Sequence, residues 1–165
     1  MRKTKLYLIV LLSLSTFACA TVPELSSMQR RQLQSRTFEN TSYENVFRSF
    51  KSVLQDEGYI IKNQDMAGGL IVASIQKASH SIQPFLLTGS SQKNSNYVMD
   101  DGFELSVNLE KMNELTVESR LTIQKVEHFS QGGQQGREIL DQELYKAFYE
   151  KVKVETERRK AQGKV

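Results

Sequence analysis

The 165-residue chain carries 22 Lys and Arg against 19 Asp and Glu, a formal charge of +3, and Arg2, Lys3 and Lys5 account for the whole excess. From residue 19 onward the two signs balance, which removes the electrostatic basis for a nucleic-acid partner; Arg30-Arg31 and Arg158-Arg159-Lys160 are short clusters that read as solvated. Cys19 is the sole cysteine, so a disulfide framework, a dithiol pair and a cysteine-based zinc site are excluded, and stability has to come from the packed core of one domain.

The first three basic residues precede an apolar run from Leu6 to Phe17, the order of a charged n-region and a secretory h-region. A membrane span needs about 20 apolar residues, and Thr21, Pro23, Glu24 and Ser26 turn the chain polar too soon. An uncleaved signal anchor and a soluble secreted protein are the alternatives. Thr16-Phe17-Ala18-Cys19 resembles the lipobox of bacterial lipoprotein signals. That resemblance implies cleavage after Ala18, a diacylglyceryl thioether on Cys19 and acylation of its new amine. Only a thiolate is nucleophilic enough for the thioether, and two or more acyl chains anchor durably where one is marginal. Ala20, rather than an aspartate, follows the cysteine, which by the same resemblance implies the outer membrane, facing the periplasm.

Residues 1–18 are therefore expected to be a signal peptide, 19–36 a lipidated tether without sustained period, 37–157 one domain and 158–165 a polar tail. Gln34 to Glu39 suits a short entering strand. Thr41-Ser42-Tyr43-Glu44 reads as a capping box, and Val46, Phe47, Phe50, Val53 and Leu54 form one apolar helical stripe ended by Gly58. Tyr59–Asn63 and Leu70–Lys77 have adjacent apolar residues and read as central strands. From Ala78 to Asp101 the period fails in a long loop, in which Phe85, Leu86 and Leu87 are either a flap over the core or an exposed contact for a partner or bilayer.

Phe103–Glu110 and Leu115–Ile123 alternate as half-buried strands. Pairing Glu110 with Glu114 makes Lys111-Met112-Asn113 the turn, with Asn113 left-handed, Glu104 opposite Arg120, and the odd-numbered apolar residues on one face. Gly132–Arg137 reads as a flexible connection, since its spacing fits no phosphate cradle. Asp141 caps a last helix whose stripe is Leu144, Phe148 and Val152, flanked by Tyr145 and Tyr149, with fraying after Val154. The sum is an α+β domain, an antiparallel sheet of about four strands with two helices packed on one face.

Catalytic chemistry is sparse. Ser79-His80-Ser81 puts base and nucleophile side by side, unlike a triad, and there is no GxSxG elbow. Glu127-His128 is at most half a metal site, and Asp100-Asp101-Gly102 lacks the remaining calcium ligands and reads as a turn. The expectation is no catalytic residue, no cofactor and no metal. Val53–Tyr59, Gly69–Ser74 and Asp141–Tyr149, with Met28-Gln29 and Arg36-Thr37-Phe38, are similar to a group of uncharacterised Gram-negative bacterial lipoproteins. The likeness covers most of the chain after Cys19 and supplies no enzymatic residues. Three functions follow for weighing: a membrane-anchored accessory that binds another envelope protein, a carrier or sensor of an apolar ligand held between sheet and helices, and a hydrolase using His80 or His128.

Overall fold

The computed structural model describes residues 25–77, 98–129 and 131–163; Cys19, His80, Phe85, Leu86 and Leu87 lie outside them. In chain order the elements are α1 (Ser27–Gln34), β1 (Ser35–Glu39), α2 (Tyr43–Asp56), β2 (Ile60–Asp65), β3 (Leu70–Lys77), β4 (Val98–Asn113), β5 (Thr116–Phe129), β6 (Gln134–Glu138) and α3 (Gln142–Ala161). The class is α+β, with six antiparallel strands and three helices among the described residues, where the sequence suggests about four and two. The strand order is β1-β5-β4-β3-β2, and β6 pairs β5 beyond the end of β1. The two strands beyond four are short: β1, which forms where the sequence suggests an entering strand over Gln34 to Glu39, and β6, each of five residues.

The central ladder is the long β4–β5 hairpin, and its parity builds the core. Leu105, Val107 and Leu109 alternate inward with Val117, Leu121 and Ile123, joined by Ile71 and Ala73 of β3. Against that face α2 lays Val46, Phe47, Phe50, Val53 and Leu54, and α3 lays Tyr145, Phe148, Tyr149 and Val152. Phe50 sits among the rings of Phe38, Phe148 and Tyr149, with centroids 5.8 to 6.2 Å away. The two helices and the sheet thus share one core.

The expected hairpin register is displaced. Glu110 faces Glu118, Glu104 faces Gln124, Arg120 faces Asn108, and the chain turns at Glu114-Leu115. The displacement is even, so the inward face survives it. Asn113 acts through its side chain, whose Oδ1 accepts the Leu115 N–H at 3.0 Å, and among the described residues the left-handed non-glycine residue is Asn40, φ 55°. The cap of α2 is Ser42, which accepts from Asn45 N; Thr41 is buried and accepts from Asn45 Nδ2, while Glu44 pairs with Arg48. Gly58, φ 84°, ends α2 as expected, and the Tyr59 N–H reaches back to Leu54 O at 2.9 Å.

Other elements differ because their environment, not their local pattern, decides them. β2 is an edge strand with Ile60 exposed, not a central one. Asp100-Asp101-Gly102 lies inside β4 rather than in a turn. The glycine-rich connection contains β6. Leu144 is exposed and the buried face of α3 runs through Tyr145, Phe148, Tyr149 and Val152 to Glu155 and Thr156. The helix does not fray at Val154, because the Glu155 carboxylate accepts from Arg158 Nε (2.6 Å) and Arg159 Nε (2.7 Å), and Arg159 donates on to Ser52 of α2. Arg158 and Arg159 therefore belong to the helix rather than to a solvated tail.

Candidate functional site

The stretch expected to be a tether ends instead in a docked helix. Ser26 caps α1 by accepting from Gln29 N at 3.3 Å while Gln29 Oε1 accepts from Ser26 N at 2.9 Å, a capping box. Arg30 and Gln34, four residues apart, share the face of α1 turned to the domain. Gln34 is buried; its amide donates to Glu138 Oε1, and its Oε1 accepts from Arg120 Nε (3.2 Å) and Nη2 (3.0 Å). Arg30 takes the other Glu138 oxygen at 3.2 Å. From α3 the Tyr149 hydroxyl donates to Gln34 O at 2.5 Å. One buried glutamine thus joins α1, β5, β6 and α3.

Electrostatics agree with the geometry. Burial pushes the Tyr149 phenol up to about 12, against the opposing effects of its bonds at Ser119 and Leu121 and the nearby Arg36 charge. Arg36 lies over the Tyr149 ring, 5.2 Å from its centroid, and donates to Gln32 O and Ser35 O. Burial also raises Tyr145, whose hydroxyl accepts the Ile123 N–H at 3.1 Å. Both tyrosines are therefore neutral hydrogen-bonding struts rather than acids or bases.

On the side of α1 away from that clamp lies a groove of about 470 Å³ lined by Leu25, Gln29, Gln32, Leu33, Arg36, Leu140 and Gln142. No acidic side chain lines it. Met28, 71% exposed, lies in the first turn of α1, three residues after Leu25, which precedes the helix. The clamp and groove were not legible beforehand, although Ser26-x-x-Gln29 is a start signal that marks the helix.

The second feature is on the sheet face opposite the helices. A depression of about 260 Å³ is lined by residues including Lys62, Gln76, Gly102, Glu104, Val126 and His128. Gly102 permits close strand approach, since a Cβ there would stand 2.4 Å from Ile75 O. His128 does not join Glu127 in a metal pair. Glu127 instead accepts from Lys125 at 2.9 Å, on the alternate face of β5, with Asp101 3.4 Å from the same ammonium. Those two carboxylates hold the Lys125 pKa above its usual value. Among the described residues no three metal-ligating side chains gather. The segment holding Phe85, Leu86 and Leu87 leaves β3 at Lys77 and re-enters at Val98, the sheet end where His128 sits.

No family model and no curated protein matches the chain. Among solved structures it is similar to a DUF4468 family protein from Bacteroides ovatus at 10% identity, over 84% of this chain and 91% of that one, with a TM-score of 0.41. At that level of likeness no activity transfers.

Proposed function

We propose that this is a non-enzymatic lipoprotein of the outer membrane, anchored through Cys19, facing the periplasm, and serving another envelope protein as an accessory in transport, secretion or assembly. The observation that carries the reading is the lipobox-like signal, followed after only the six residues Cys19 to Glu24 by the described, capped end of the domain. Such spacing keeps the domain beside the membrane that holds the anchor. The partner contact is assigned to Phe85, Leu86 and Leu87, an apolar cluster in the sequence between Lys77, the last residue of β3, and Val98, the first of β4. A ligand carrier is the weaker reading, because Phe50, Leu54, Tyr145 and Val152 fill the interval between sheet and helices.

Radiolabelled palmitate should enter the wild-type protein and not Cys19→Ser, and the variant should leave the membrane fraction. Equal labelling or unchanged fractionation refutes the anchor. For the partner, in-cell crosslinking of Phe85→Asp/Leu86→Asp/Leu87→Asp should lose the species captured by wild type while the domain's melting stays unchanged. Undiminished capture refutes that contact.

A further inference from the structure

We infer that the outward face of α1, with Leu25, Met28 and the groove between them and Leu140, lies on the bilayer surface and fixes the orientation of the domain. The inference rests on the lipid-anchor reading and adds the surface that meets the lipid. Three observations lead to it. The first described residue is Leu25, itself a wall of the groove. From Cys19 to that wall the chain can reach at most about 20 Å when fully extended, so the groove stays within reach of the headgroups whatever path those residues take.

Composition supplies the second. Leu25, just before the Ser26 cap, and Met28, in the first turn, are exposed apolar side chains, and Gln29 and Gln32 follow Met28 at i+1 and i+4 on the side of α1 away from Arg30 and Gln34. These four side chains carry no charge, and the two apolar ones stand at the end of α1 nearest Cys19 in the chain. Charge is the third. α1 contains Arg30 and Arg31 and no acidic residue, and Arg36 lines the groove. Arg30 is engaged by Glu138, and Arg36 donates to Gln32 O and Ser35 O and lies over the Tyr149 ring, which leaves the exposed Arg31 as the cation of α1 offered to an anionic headgroup layer.

The clamp makes the contact directional. Gln34, Arg120, Glu138 and Tyr149 hold α1 against the sheet and α3, so seating its free face on lipid orients the whole domain. A free tether would leave the domain to tumble.

The chain has no tryptophan, so one introduced indole reports one place. Full-length lipidated Met28→Trp, and Val154→Trp on exposed α3 as control, are reconstituted into phosphatidylethanolamine–phosphatidylglycerol vesicles with brominated acyl chains. Met28→Trp is expected to lose most of its emission and shift to the blue, while Val154→Trp keeps the emission it has in unbrominated vesicles. Flotation with neither indole quenched, or with both quenched alike, overturns the orientation and leaves the anchor standing. A blue shift at position 28 that grows with protein concentration and ignores bromine assigns the face to a second copy and also overturns it. Absence of flotation removes the anchor and the inference together.

Discussion

Replacing Gln34 with alanine tests whether α1 belongs to the domain. The side chain, 1% exposed, makes one hydrogen bond to a carboxylate and receives two from a guanidinium. Bonds to charged partners contribute roughly 1.5–3 kcal/mol each when fully buried. Here Arg120 is exposed and the Glu138 side chain is 24% exposed, so water recovers part of the loss. The Tyr149 bond is to the backbone and persists. The expected cost is therefore about 2–3 kcal/mol, or a fall in Tm of about 5–10 °C for a domain of this size. Urea unfolding followed by circular dichroism measures it. Limited trypsin digestion adds a local readout, because Arg30 and Arg31 should be cut faster once α1 is released. A change below about 0.5 kcal/mol with unaltered cutting would mean that Gln34 does not hold α1 in solution, and the clamp would be refuted.

Phe50 is fully buried among three aromatic rings, so Phe50→Ala should cost about 3–5 kcal/mol by chemical denaturation. Phe50→Asp should give a chain without a cooperative melt, whereas Leu144→Asp at an exposed site of α3 should melt like wild type. Gly69→Ala forces φ 72° on an alanine and puts its Cβ 2.2 Å from Leu109 O, while Gly132→Ala at φ 83° meets nothing; thermal melts should show the first far more damaged than the second. Tyr149 keeps its proton to about pH 12 in the folded state and loses it near 10 when unfolded. Its contribution is complete below pH 10 and is lost as pH rises through about 12, about 3 kcal/mol in all by linkage; Tyr149→Phe should flatten that part of the stability profile, and an unchanged alkaline slope would contradict it.

The elements that were legible in the sequence share a physical basis. The α2 stripe, the Gly58 stop and the odd-numbered inward residues of β4 and β5 all follow from a period set by the backbone over a few residues. The register error in the hairpin shows the limit of that information. Lys111 and Glu114 pair across the turn at 2.9 Å, Asn113 braces Leu115, and the reversal moves to Glu114-Leu115 without changing any residue's face. Periodicity fixes parity and leaves the turn to competition among local bonds. β6 was hidden by Gly136 and by its exposed polar side chains, since an edge strand with few inward residues has no alternation to detect.

The sequence by itself determined the α+β class and the inward faces of α2 and of the two longest strands, β4 and β5, because each depends on residues adjacent in the chain. Tertiary structure alone decided that β2 is an edge, that α3 continues through Glu155, and that α1 is docked rather than free. Those outcomes hang on bonds between distant residues: Gln34 meets Glu138 across 104 positions and Arg159 meets Ser52 across 107. No local pattern encodes such a partner. Desolvation settles it, since a buried amide or carboxylate is stable only where folding brings its counterpart within hydrogen-bond reach.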